Sequence, residues 1–163
     1  MPQQGITSHI RQAASADFDQ LTAVWEASVR ATHHFLSEEA IQYLKPLVRN
    51  KYLAAVSLFC LEEGPNNIIG FAGVVEDKLE MLFVHRAHHG KGAGKTLLQF
   101  AINQLGIGQV DVNEQNVAAV HFYQHFGFQI KDRSDTDALG KPYPILHMVL
   151  QKQTLTCKTL KGI

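Results

Sequence analysis

The chain has 163 residues, 45% of them apolar, and fifteen basic residues balance fifteen acidic ones. That length fits one domain with a substantial core, residues 1–150, followed by a loosely held tail, 151–163. A formal net charge of zero excludes a global electrostatic pull toward nucleic acid or an anionic membrane. Cys60 lies in an apolar run and Cys157 in a polar tail, so neither a disulfide framework nor a zinc spacing is present. Residues 1–9 lack the apolar core of a secretion signal, and no apolar run approaches membrane-spanning length. A cytoplasmic location is therefore expected.

In chain order, Ile10 closes a short first strand and Ser15 is an N-cap candidate for the helix that follows. Phe18, Leu21, Val24, Trp25 and Ser28 recur at helical spacing. Ser37, Glu38 and Glu39 open a second helix with the stripe Ile41, Leu44, Leu47 and Val48, which Pro46 should kink or shorten. Residues 56–61, 68–75 and 79–84 read as three strands of an antiparallel meander. They are joined by Gly64-Pro65-Asn66-Asn67 and by a tight connection at Asp77-Lys78. A helix over 96–105 ends at Gly106, and residues 110–113 form a short strand. A helix over about 115–125 ends at Gly127. Strands 128–133 and 145–150 complete a mixed α+β fold.

Between the strand 79–84 and the helix 96–105 lies His88-His89-Gly90-Lys91-Gly92-Ala93-Gly94-Lys95. Three glycines at alternate positions make a turn without side-chain bulk, so a ligand can approach the backbone N–H groups. A helix N-terminus adds unpaired donors and the positive dipole end, which favour an anion such as phosphate. A local basic cluster of Arg86, His88, His89, Lys91 and Lys95 coincides with the turn. On its own the motif fits a flexible hinge about as well as a phosphate cradle.

A second motif, Asn113-Glu114-Gln115-Asn116-Val117-Ala118-Ala119-Val120-His121-Phe122-Tyr123, closes with Phe126-Gly127-Phe128. The order of elements and the two motifs together resemble the GNAT superfamily of acetyl-CoA-dependent N-acetyltransferases over residues 10–150. The family's (Arg/Gln)-x-x-Gly-x-(Gly/Ala) turn is matched by His89-Gly90-Lys91-Gly92-Ala93-Gly94, with His89 standing where Arg or Gln is usual. Asn116, Ala119, Phe122 and Tyr123 match its second signature. The resemblance implies a mostly antiparallel sheet of six to seven strands, splayed between the fourth and fifth, with about four flanking helices. It implies acetyl-CoA as co-substrate, no metal, and direct transfer to a primary amine, from a protein lysine or a small molecule. Dimers are common in the family, so a homodimer belongs to the expectation.

The same resemblance assigns roles. Phe83 and Val84 pair with the pantetheine arm as an extra strand would. His89, Gly90, Lys91, Gly92, Ala93, Gly94 and Lys95 surround the pyrophosphate, and Asn116, Ala119 and Tyr123 complete the cofactor contacts. Tyr123 is the general acid for the departing thiolate; without the resemblance, a core tyrosine with a satisfied hydroxyl is an equal reading. Asn116 also reads as a residue near the helix cap. Glu80 lies on the cofactor strand among apolar residues, where partial burial would suit a general base; an exposed acid on a half-wet strand is the equal alternative. His33 and His34 are the other candidates.

Residues 29–36 and 139–144 resemble segments of small bacterial YjaB-like GNAT proteins, which places Trp25, Arg30, Thr32, His33, Phe35 and Tyr143 on the acceptor side. An ordinary helix–helix turn and hairpin loop fit the same residues. Other chemistries fit less well. Gly94-Lys95-Thr96 ends like a P-loop, but His89 occupies the place of the required first glycine. His121 and His125 are one helical turn apart, yet Phe122 stands where a zinc protease needs Glu. An acyl-CoA-binding sensor without efficient catalysis remains the alternative, and thiol release in the presence of an amine separates the two.

Overall fold

The computed structural model describes residues 7–151, so the expected tail over 152–163, including Cys157, lies outside the described residues. The chain packs as two compact units that divide after Asp111, and each is described by itself.

The first unit contains β1 (Ser8–Gln12), α1 (Phe18–Thr32), α2 (Glu38–Leu47), β2 (Ser57–Glu63), β3 (Ile68–Val75), β4 (Lys78–Val84) and α3 (Ala93–Leu105), and β5 (Gln109–Asn113) begins in it. The strands run in the order β1-β2-β3-β4-β5; the first three pairings are antiparallel and β4–β5 is parallel. The second unit holds the end of β5, then α4 (Val117–His125), β6 (Phe128–Ser134) and β7 (Ile145–Leu150), with β6 and β7 antiparallel. Among the described residues, seven strands, mostly antiparallel, and four α-helices make the expected mixed fold. Among the described residues no helix is long and apolar enough to cross a membrane.

Local chemistry explains the elements. Ser37 caps α2, its Oγ accepting the Ala40 N–H at 3.1 Å. Pro46 sits in the last turn of α2, and the chain widens directly afterwards into a π-helical turn (Val48–Tyr52) and a 3-10 turn (Leu53–Ala55). Proline lacks the N–H that would continue the α-helical ladder, so the pattern changes there rather than stopping. Ser15 does not cap α1; it starts a 3-10 turn (Ser15–Asp17) whose N-cap, Ala14, donates its N–H to Asp17 Oδ2 at 2.8 Å, and Asp17 itself is the N-cap of α1 without a side-chain capping bond. The stripe Leu21, Val24, Trp25 and Val29 of α1 is buried with Ile41, Val48, Leu58 and Phe71, forming the core on that side of the sheet.

Asp17 is recruited by Arg11, which also extends β1 beyond Ile10. The Arg11 guanidinium donates to both Asp17 carboxylate oxygens at 2.9 Å and to Glu62 at 2.6 Å. Glu62 is only 6% exposed, so removing this partner would leave a buried carboxyl group without its shortest hydrogen bond. The Arg11 hydrogen bonds, with the Ala14 N–H, hold the Asp17 carboxyl at about 2, below its ordinary 3.8. Arg11→Ala is expected to lower stability by about 2 kcal/mol, less than for a fully buried pair because Arg11 remains a third exposed. A depressed carboxyl stabilises the fold above its unfolded pKa and loses that contribution as the pH falls through the folded value. The gap between wild type and variant in denaturant midpoints should therefore narrow as the pH is taken from about 4 toward 2.

Candidate active site

In the first unit the site is built around β4. Its register against β3 steps from Gly73↔Met81 to Val74↔Leu79, which leaves Glu80 as the extra residue of a β-bulge. The parallel ladder with β5 spans two pairs, Lys78↔Gln109 and Leu79↔Val110. The two strands therefore part where the bulge begins, as the expected splay requires. The start of β5 is pinned by the two-residue turn before β4: the Asp77 carbonyl accepts both the Gly108 and Gln109 N–H groups, at 2.7 and 3.1 Å.

After Val84 the chain makes a 3-10 turn (Arg86–His88). The His85 Nδ1 accepts the Ala87 N–H at 3.1 Å, and the His85 N–H donates to the Ile69 carbonyl. Burial, and then its cationic neighbours, lower the His85 pKa, which keeps Nδ1 free to accept. Gly90 and Gly92 have φ of 74° and 87°, and a Cβ at either position would meet nothing within 4 Å. Gly92 caps α3, and its carbonyl accepts the Thr96 N–H at 3.0 Å and the Thr96 hydroxyl at 2.9 Å. The N–H groups of Ala93, Gly94 and Lys95 precede that first intrahelical bond, and Lys91 and Lys95 are exposed around them. Gly94 differs from the expected three-glycine turn, because it already lies inside α3. Dipole end, open backbone and two lysines together fit a pyrophosphate.

His89 does more than replace an Arg or Gln. Its Nε2 lies 2.6 Å from the Val84 carbonyl, which can only accept, so Nε2 carries the proton. That carbonyl, expected to face the pantetheine arm, is therefore already engaged by the imidazole. Glu80 also differs from expectation. It is exposed, with its side chain 37% accessible, and the Lys78 ammonium lies 4.0 Å away. Glu80 is thus nearer the exposed acid of the alternative reading than the partly buried base.

On the acceptor side of the first unit, Trp25 is 5% exposed and packed in the core, so its ring is committed to packing. Arg30 is held between Glu26 and Glu38, with its shortest contact 2.6 Å to Glu38. Thr32 Oγ1 donates to the Ser28 carbonyl at 2.9 Å and meets His33 Nδ1 at 2.7 Å. The hydroxyl proton is spent on the carbonyl, so His33 Nδ1 must donate and Nε2 is left as an acceptor. Burial lowers the His33 pKa to about 4, with the His34 charge adding to it, and the ring is neutral at pH 7. The Phe35 ring meets the His33 ring at a 52° tilt with centroids 5.4 Å apart, and His34 is exposed.

In the second unit Asn116 is the N-cap of α4, its Oδ1 accepting the Ala119 N–H at 3.3 Å. Tyr123 is 7% exposed, its ring packed on Phe122 and Phe128 at centroid distances of 5.2 and 5.6 Å. Burial pushes its pKa well up, so the hydroxyl keeps its proton throughout the neutral range. The loop 135–144 is shaped by Asp137, whose carboxylate accepts the Leu139 and Lys141 N–H groups, and Tyr143 is half-buried near its end. The Glu114 N–H donates to the Pro144 carbonyl at 2.9 Å, tying that loop to the second motif. His121 and His125 are exposed.

Sequence reasoning missed one charged group. Lys78 Nζ lies 2.5 Å from Asp111 Oδ2, which raises the lysine's pKa. The residues are far apart in sequence and meet only through the β4–β5 register, so no local pattern could have paired them.

Residues 54–130 match the acetyltransferase (GNAT) domain family. Over 141 residues the chain is 35% identical to the peptidyl-lysine N-acetyltransferase YjaB of Salmonella typhimurium, covering 86% of this chain and 97% of that protein. The chain belongs to the GNAT acetyltransferase family. Among GNAT structures, it resembles the solution structure of apo-form YjaB from Escherichia coli with a TM-score of 0.81 and 35% identity, over 88% of this chain and 97% of that one. It shares its fold with a PaiA N-acetyltransferase from Thermoplasma acidophilum, solved in complex with coenzyme A, at a TM-score of 0.69 and 22% identity. That match covers 89% of this chain and 99% of the other. As a GNAT protein this chain is an acetyltransferase.

Proposed function

We propose that this GNAT protein moves the acetyl group of acetyl-CoA directly to a primary amine in a ternary complex, with a protein lysine as the favoured acceptor. The glycine turn carries the reading: two positive-φ glycines with open space above their Cα atoms lead into α3, directly after a strand that parts from its parallel neighbour. The lysine preference rests on the likeness to YjaB, which is a peptidyl-lysine N-acetyltransferase.

When bound, acetyl-CoA supplies an electrophilic thioester. The N–H groups of Gly92, Ala93, Gly94 and Lys95 hold its pyrophosphate, with Lys91 and Lys95 adding charge. The β4 backbone at Phe83 and Val84 aligns the pantetheine arm, the Val84 carbonyl only if His89 releases it. Asn116 and Ala119 add contacts from α4. Glu80, placed at the bulge, takes the proton that the acceptor ammonium must lose to become nucleophilic. Tyr123, kept protonated by its burial, gives a proton to the departing sulfur. Thr32, His33, Phe35 and Tyr143 serve the acceptor, with His33 Nε2 as a neutral hydrogen-bond acceptor. Trp25 supports that side from the core, and Arg30 acts through its ion pairs rather than as an uncompensated cation.

Thiol release from acetyl-CoA, screened over an amine panel with a lysine-peptide pool, tests the proposal. Release should be greatest with peptides. Glu80→Gln should reduce it at neutral pH and recover much of the loss as rising pH deprotonates the amine. A thermal shift with acetyl-CoA but no release with any amine would instead identify an acyl-CoA sensor.

A further inference from the structure

We propose that Lys78 is acetylated by the protein itself, its ε-amine acting as an intramolecular acceptor beside Glu80. The inference rests on the proposed function and extends it to a modification site. Lys78 lies two residues before the bulge, in the last stretch of β4 still paired with β5. Its Nζ is 4.0 Å from Glu80 Oε1, the group proposed to accept the acceptor's proton. It is also 2.5 Å from Asp111 Oδ2. The side chains of Lys78, Glu80 and Asp111 are 30%, 37% and 28% exposed, open enough for the amine to leave one carboxylate for the other.

The balance is simple. A bond forms between Lys78 Nζ and the acetyl carbonyl carbon, and the carbon–sulfur bond of acetyl-CoA breaks. The ammonium loses two protons, one to the Glu80 carboxylate and one to solvent, and the departing sulfur takes the proton of Tyr123, which solvent replaces, giving an N-acetyl amide and CoA thiol. Asp111 restrains this step. By pairing with the ammonium it favours the charged, non-nucleophilic form. Both carboxylates favour the ammonium, Asp111 the more through its hydrogen bond, while Glu80 is the one proposed to take the proton. Acetylation removes the cation beside Glu80 and so makes this end of β4 more negative toward an incoming ammonium. Lys78 modification should therefore lower KM for cationic peptide acceptors.

Purified protein is incubated with acetyl-CoA and a lysine peptide in the same tube, and acetylation of Lys78 and of the peptide is followed by peptide-mapping mass spectrometry. Lys78 should be modified ahead of the exposed Lys91 and Lys95, at a fractional rate independent of protein concentration. Glu80→Gln should slow it at least about tenfold. Asp111→Asn should speed it several-fold, since each unit of lowered amine pKa releases about tenfold more free amine. A titration of the Lys78 ammonium by NMR, without acetyl-CoA, should show the lower pKa in Asp111→Asn and confirm the pairing independently of turnover. Direct chemical acetylation would not slow in Glu80→Gln, and that result overturns the inference, as does a rate that rises with protein concentration. Peptide acetylation with Lys78 left unmodified overturns it while the proposed function stands. Failure of both, with no thiol release, removes the proposed function and this inference with it.

Discussion

Tyr123→Phe is expected to lower turnover by roughly a hundred- to ten-thousand-fold, the usual worth of general acid assistance. The substitution keeps the ring between Phe122 and Phe128 and removes only the hydroxyl. Acetyl-CoA affinity should change little, because the pyrophosphate and backbone contacts are made elsewhere. Thermal stability should also stay close to wild type, since the packing is retained. Burial keeps this hydroxyl protonated well above neutrality. The wild-type pH–rate profile should therefore rise with amine deprotonation and show no falling limb from Tyr123 below about pH 10. Near-wild-type turnover in the variant, under conditions where chemistry limits the rate, would mean that water or another donor protonates the thiolate.

Gly92→Val should abolish the thermal stabilisation that acetyl-CoA gives by mass action. Two effects combine at this position. The open space above the Gly92 Cα is the approach to the backbone donors, and a β-branched side chain would fill it. The φ of 87° also strains any residue with a Cβ, by about 1–3 kcal/mol. Gly106 separates the two effects, because it has φ of 68° and equally open surroundings at the other end of the same helix. Gly106→Val should lower the melting temperature of the free protein yet keep the response to acetyl-CoA, whereas Gly92→Val should lose both. A retained acetyl-CoA shift in Gly92→Val, or a shift with ATP alone, would count against the turn as the pyrophosphate site.

The readable parts of this fold were those set by local pattern. β3 and β7 have the bounds their apolar runs predict, and Ser37 caps α2 as its acidic first turn indicates. What was not legible depends on partners distant in sequence. β1 runs past Ile10 to Gln12 because Arg11 and Gln12 pair with Cys60 and Phe59. The same Arg11 pairs with Asp17, which stands at the N-cap of α1 in place of Ser15. Glu80 among apolar neighbours reads equally as a half-buried base or an exposed acid, and the bulge at which it sits depends on the register with β3, which its own sequence does not state. Trp25 shows the converse problem: one large aromatic suits a binding surface and a core stripe equally, and only packing decides. The glycine turn was legible because glycine at positive φ is a local requirement. The imidazole of His89 on the Val84 carbonyl was not, since it depends on the path the turn takes.

The early end of the β4–β5 ladder has one more consequence. Beyond Leu79, β4 has backbone hydrogen-bonding groups that this parallel ladder does not use. Strand groups that no ladder uses can pair with any extended chain, including another molecule of the same protein. His89 engages one of these groups, the Val84 carbonyl. A bound pantetheine arm would thus act as an edge cover, protecting against self-association as well as delivering the acetyl group. Light scattering of concentrated protein should rise more slowly with saturating CoA than without it, and the benefit should vanish in Gly92→Val.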